Sequence, residues 1–352
     1  MAESTINTSP YKIDTIEMHA GGDSLRLILS GFPKNSGNTM MEKWRHVRDQ
    51  FDDLRRALML APRGNGSYGL LIVEPDHNEA DLAVILMCNQ GFGAMCGSGN
   101  MALARYAVDF GIVKAVAPET QVNIQWVSGL VKTFVEYDGQ TKRSGKARFH
   151  SVPAFALKTV FILVMPSDIE VDVTGYGAVT VDIGYGGAYY AYVSADQLGL
   201  DVCKSSMPDI QSAAVAVAKA VGSAVNLTHP TDPDLATLYG TIITDGKNEW
   251  SLEPSVNICV SAAGQVARGP CASGVTGRIA VQVDKGLIDL NQVRRFQSGV
   301  SSLEFTGKAV ERTKVGNYDA VVVEVAGKGH FIGRSTFFAE EEDALCNGFL
   351  LE

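Results

Sequence analysis

The sequence predicts a mixed α/β protein built from two copies of one fold, and three observations carry that expectation. The chain has 352 residues, more than one hydrophobic core comfortably serves and enough for two domains of ordinary size. The segment CGSGNMALARYAVDFGIV, starting at Cys96, returns 175 residues later as CASGVTGRIAVQVDKGLI, starting at Cys271. Cys96/Cys271, Ser98/Ser273, Gly99/Gly274, Val108/Val283, Asp109/Asp284 and Gly111/Gly286 are identical, six matches in 18 positions where chance gives roughly one. A second echo relates TIEMHAGG at 15–22 to TVDIGYGG at 180–187, each leading into a strand-like run, at 25–29 and 189–193. The expected halves are residues 1–165, carrying Cys96, and residues 166–352, carrying Cys271. Their connection falls at 166–177, the C-terminal tail is free to pack back on the first half, and the site lies in the cleft between the halves.

Taken in chain order, the pattern predicts a helix over 41–59 and strands over 70–74 and 83–87. A helix over 99–110 follows, with Gly111 where a helix needs a C-terminal glycine. Strands are expected over 122–126 and 131–137, with a polar turn (YDGQTKRS) at 137–144. The second half gives a helix over 210–225, a strand over 256–260, a helix over 274–285 closed by Gly286, and a strand over 320–325. The acidic run at 340–343 reads as a solvated turn.

Composition narrows the function. With 46% hydrophobic residues the chain is globular, and no apolar run reaches the length that spans a bilayer. A formal charge of −9 argues against nucleic acid or an anionic membrane surface as the main partner. The first residues do not read as a secretory signal, so a cytoplasmic protein is expected. Six cysteines without a C-x-x-C pair, and scattered histidines, give no support for zinc or a disulfide framework. Cys88, Cys203, Cys259 and Cys346 are expected to be ordinary buried thiols.

Cys96 and Cys271 differ from the rest because each stands at a helix start and is followed by small residues. The first N–H groups of a helix lack internal partners and carry the positive end of its dipole, which binds carboxylates and favours a thiolate. Two such thiols facing one bound carboxylate can remove and return a proton at the alpha carbon, while donors on the carboxylate stabilise the enediolate. Neither a metal nor an organic cofactor is required. The backbone amides of Gly97, Ser98, Ala272 and Ser273 are the candidate carboxylate donors, and either serine can instead cap its helix. Tyr68 and Phe92 are candidate walls for a ring. His19 is expected to make a structural hydrogen bond, Asp182 to share a structural role with Glu17, and Arg268 to anchor its loop.

These segments resemble the proline racemase family, which includes proline racemase, 4-hydroxyproline 2-epimerase and trans-3-hydroxy-L-proline dehydratase. The resemblance runs through IEMHAGGDSLRLIL, RRALMLAPRGNGSYGLLIVEP, CNQGFGAMCGSGNMALARYAVDFGIV, FHSVPAF, VDIGYGGAYYAYV, LYGTIITDG, GQVARGPCASGVTGRIA and GFLLE. It implies the diaminopimelate-epimerase-like fold, two pseudo-symmetric halves each wrapping a sheet around a central helix, with Cys96 and Cys271 as the acid/base pair. In flavour the chain is nearest the dehydratase branch. That branch typically replaces the second Cys with Thr, so Cys271 favours inversion over elimination, with trans-3-hydroxy-L-proline dehydration as the alternative.

Three positions depart from the family pattern. Asp-Arg-Ser before the second Cys reads Ala267-Arg268-Gly269, Cys-Gly-His reads Cys96-Gly97-Ser98, and Arg-Gly-His reads Arg63-Gly64-Asn65 in a loop one residue shorter. The family's Asp receives the substrate's amine, and a methyl group at 267 cannot offset a buried ammonium. The expected partner is therefore a small carboxylate whose nitrogen is uncharged, acylated or held elsewhere. A homodimer is compatible with the sequence. Two further readings stay open: a non-catalytic carboxylate binder, and a dinucleotide-binding oxidoreductase suggested by G-x-G-x-x-A at 97–102.

Overall fold

A computed structural model of the protein describes residues 11–64, 66, 68–157, 168–340 and 342–349. The first run of elements is β1 (Lys12–Ala20), β2 (Asp23–Ser30), α1 (Met40–Gln50), α2 (Asp52–Met59), β3 (Tyr68–Val73), β4 (Leu82–Cys88), β5 (Gly91–Gly93), α3 (Gly97–Asp109), β6 (Glu119–Trp126), β7 (Gly129–Asp138), β8 (Arg143–His150) and β9 (Phe155–Ala156). The second run is β10 (Ile169–Val173), β11 (Gly177–Tyr185), β12 (Tyr189–Ser194), α4 (Met207–Ala224), β13 (Leu238–Thr244), β14 (Ser255–Ser261), α5 (Ala272–Asp284), β15 (Arg294–Ser298), β16 (Glu304–Val315), β17 (Tyr318–Gly327) and β18 (Gly329–Phe338).

The duplication is written in the strand pairing. The order β18-β1-β2-β3-β4-β6-β7-β8 pairs antiparallel, antiparallel, parallel, antiparallel, parallel, antiparallel, antiparallel. The order β10-β11-β12-β13-β14-β15-β16-β17 repeats that series step for step. Antiparallel pairing of β8 with β17 joins the two sheets. The first sheet borrows β18 from late in the chain, and Arg63 holds Asp343 of the tail at 3.0 Å.

Each sheet curls around one helix. In α3 every residue from Gly97 to Val108 except Arg105 is buried, and in α5 every residue from Ala272 to Val283 is buried. A helix buried all round must lie inside a core rather than on it. Small residues let strands approach closely: a Cβ on Gly184 of β11 would lie 2.7 Å from the Gly277 carbonyl of α5. The Trp126 indole N–H donates to Asn100 at 2.7 Å and ties β6 to α3.

Two expectations change. The helix over 41–59 is two helices broken at Phe51 (φ −130, ψ 27). A capping box of Thr39 and Glu42 starts the first, and Asp52 and Asp53 occupy the first turn of the second, where the dipole favours acids. The stretch 166–177 is not wholly a connection. Residues 166–167 lie outside the described residues, but Ile169–Val173 alternates buried and exposed side chains and pairs with β11. Among the described residues no helix is long and apolar enough to cross a membrane.

Candidate active site

The N-termini of α3 and α5 meet head to head. A Cβ on Gly97 would lie 2.6 Å from the Ala272 Cβ and 2.8 Å from the Ser273 nitrogen, so glycine is what permits the approach. Two positive helix ends at this distance repel each other unless an anion lies between them. Around the junction is a cavity of about 20 Å³, room for about one water, lined by Asp23, Tyr68, Leu86, Met95, Cys96, Gly97, Ser98, Tyr190, Tyr239, Cys271, Ala272 and Ser273.

The structure thus brings together Cys96, Cys271, Gly97, Ser98, Ala272, Ser273 and Tyr68. Ala267 is buried but outside the cavity wall, its N–H donating to the Cys259 carbonyl at 2.9 Å. Neither serine caps its helix. Cys96 is itself the N-cap of α3, its Sγ accepting from the Gly99 N–H at 3.3 Å, while Ser98 donates to Asp23 at 3.2 Å and Ser273 shares a hydrogen bond of 2.7 Å with Tyr190. Cys271 takes the left-handed conformation (φ 63), a strained choice for a residue with a Cβ that concentrates at functional sites. The Pro270 carbonyl before it accepts from the buried Asn257 amide at 3.1 Å.

The two thiols sit in different fields. Burial pushes Cys96 up, and the negative charges of Asp23 and Cys271 add to that push. Cys271 is drawn down by a hydrogen bond from the Cys259 thiol, against burial and Asp23. The resting site therefore holds one protonated thiol and one inclined to ionise, the state proton transfer between two sulfurs requires. Tyr68, Tyr190 and Tyr239 are held protonated by burial, and the Tyr68 and Tyr239 hydroxyls meet at 2.7 Å. Among the described residues no group of three His, Cys, Asp or Glu is placed to hold a metal ion.

Of the other expectations, those for Glu17, Asp182 and Arg268 hold and several are corrected. Cys203 is exposed in a turn and Cys346 is half-buried, because both lie in polar turn segments outside the sheets. Cys259 is buried but is no bystander, since it donates to Cys271. His19 stacks on His330 with centroids 4.9 Å apart, and its Nδ1 makes no hydrogen bond among the described residues. Phe92 lines a neighbouring pocket of about 190 Å³, not the thiol cavity. Glu17 and Asp182 each hold a cation, Arg26 at 2.9 Å and Lys285 at 2.6 Å. Arg268 anchors its loop to Ser24 at 2.8 Å. Asn65 lies outside the described residues.

Asp23, Tyr190, Tyr239 and Cys259 were not singled out from the sequence, although signals existed. Tyr68-Gly69 and Cys88 recur as Tyr239-Gly240 and Cys259 at a common spacing of 171 residues. Asp23 follows the first Gly-Gly turn where the second half has Ala188, a charge present in one copy only.

Known proteins resemble this chain along nearly its whole length. The sequence profile of the proline racemase family matches residues 15–350. A Xenopus tropicalis protein named trans-L-3-hydroxyproline dehydratase is 51% identical over 97% of this chain and 95% of its own. A Burkholderia multivorans protein named 3-hydroxyproline 2-epimerase is 34% identical over 96% of this chain and 98% of its own. The crystal structure of a probable proline racemase from Agrobacterium radiobacter K84, with bound carbonate, superposes with a TM-score of 0.88 at 26% identity, covering 96% of each chain. A mixed sheet curled twice around a central helix, two helix-start thiols at one cavity and this match along nearly the whole chain lead to one conclusion: the protein belongs to the proline racemase family.

Proposed function

We propose that this protein is a cofactor-independent trans-3-hydroxy-L-proline dehydratase. The observation that carries the reading is the identity of about half along nearly the whole chain with a relative of that name. It reverses the order favoured by the second thiol alone, which put inversion first. In this reading Cys96 takes the alpha proton as a thiolate, formed once the substrate's positive charge offsets the negative neighbours that keep it protonated at rest, and the amides at the α3 and α5 starts hold the carboxylate and its developing enediolate. The 3-hydroxyl leaves as water with a proton relayed through the buried phenols in the cavity wall, the proton taken by Cys96 passes back to them, and the enamine tautomerises to a cyclic imine. The halves 1–165 and 166–352 supply one thiol each. The reaction belongs in the cytoplasm, where free thiols stay reduced.

Inversion at the alpha carbon is the second reading, favoured by Cys271 lining the same cavity as Cys96. Incubation with trans-3-hydroxy-L-proline in deuterated water separates the two. Loss of water with formation of an imine supports dehydration; an epimer carrying one alpha deuterium supports inversion. Absence of any alpha exchange or water loss across proline and the hydroxyprolines sinks both.

A further inference from the structure

We infer that Asp23 is the residue that receives the substrate's ammonium group, in the place of the carboxylate the family pattern puts at position 267. The inference rests on the proposed reading of the site as one for a proline-like zwitterion. Asp23 is 4% exposed and lines the thiol cavity. Its Oδ1 accepts the backbone N–H groups of Arg268 and Gly269 at 2.9 and 3.0 Å, and its Oδ2 accepts the Ser98 hydroxyl at 3.2 Å. The carboxylate thus sits beside the residue that follows Ala267, on the loop from which the family's Asp would act. Among the described residues no cation lies within ion-pair distance of it.

A buried carboxylate whose hydrogen-bond donors are all neutral is expensive to keep ionised; burial holds its pKa above the ordinary carboxylate value, although the charge of Arg268, whose guanidinium is turned to Ser24, acts on it from a distance. Three donors leave Oδ2 with capacity for one more. A bound zwitterion completes the charges: its carboxylate meets the two helix ends and its ammonium meets Asp23. The same event removes a negative charge that pushes Cys96 up, so substrate binding favours the thiolate that attacks it.

The test compares binding of L-proline with tetrahydrofuran-2-carboxylate, which replaces the ammonium by an ether oxygen, using isothermal titration calorimetry. In the unaltered protein proline binds more tightly. Asp23→Asn, which keeps an acceptor for both N–H groups, weakens proline by about thirtyfold and leaves the oxygen analogue unchanged, the difference expected for one charge-assisted hydrogen bond. Equal weakening of both ligands, as a purely structural bracket between the loops would give, overturns the inference. Should Asp23→Asn fail to fold, Ala267→Asp decides: a gain under about threefold for proline supports Asp23 as the existing receptor, and a gain of a hundredfold overturns it. Proline discrimination without turnover would keep this inference and reject the dehydratase reading; turnover without discrimination would do the reverse.

Discussion

Cys96 and Cys271 begin equivalent helices in the two copies of the fold, and their surroundings have parted company. Cys96 has extended backbone and spends its sulfur capping its own helix. Cys271 is left-handed, and it is drawn down first by the Cys259 thiol and then by the Gly274 N–H. Cys88, the counterpart of Cys259, instead donates to the Gly91 carbonyl at 3.4 Å. The acidic neighbour is also one-sided, since Asp23 has only Ala188 opposite it in the repeat. Duplication supplied two positive helix ends and two thiols; the unpaired side chains made them unequal. The Cys271 half offers the readier thiolate, and the Cys96 half offers the thiol that awaits a cation.

Removing either sulfur is the strongest way to break this comparison. Cys96→Ala should abolish alpha-proton exchange, a loss of about 10³-fold or more followed by mass spectrometry in deuterated water. Retained exchange would reassign the base to Cys271. Cys271→Ser should eliminate any epimer while dehydration falls less than about tenfold; equal loss of both would make the second thiol part of the elimination. Gly97→Ala drives a methyl into Ala272 and Ser273 and should cost roughly 1–3 kcal/mol of stability, read by denaturant unfolding, together with a fall in kcat/KM. Cys259→Ala removes the bond that draws Cys271 down, so alkylation of Cys271 should slow several-fold at neutral pH and its pH profile move upward.

The smallest effect concerns Asp23 and pH. Its folded pKa is raised, so the native state binds the proton more tightly than the unfolded chain does, and ionisation costs stability as pH rises from the unfolded value through the folded one. Asp23→Asn escapes that loss. Its ligand-free melting temperature should draw level with or exceed that of the unaltered protein by a few degrees at about pH 8, with the advantage shrinking toward about pH 4. A lower melting temperature at the higher pH would make the ionised carboxylate a net structural contributor.

Much of this was legible because the repeat falls on the central helices, where small residues are obligatory and leave a recognisable trace. Gly99 and Gly274, Gly111 and Gly286 are readable for that reason. The break at Phe51 was hidden because the apolar spacing of α1 and α2 runs on as though one helix continued. The strand Ile169–Val173 is readable in its alternation, but the acids on its outward face also suit a connection. The partners that tune the thiols were harder. Tyr239, Cys259 and Asp23 reach the cavity from strands or turns far along the chain, and a single buried acid looks like any other until its neighbours are seen.

The opposed helix ends also say something about the medium the protein works in. Two partial positive charges pressed together beside so small a cavity favour any small anion that reaches them. Phosphate, sulfate and bicarbonate should then compete with a carboxylate ligand by charge alone. On that account the ionic composition of the medium should tune occupancy of the site alongside the concentration of its ligand.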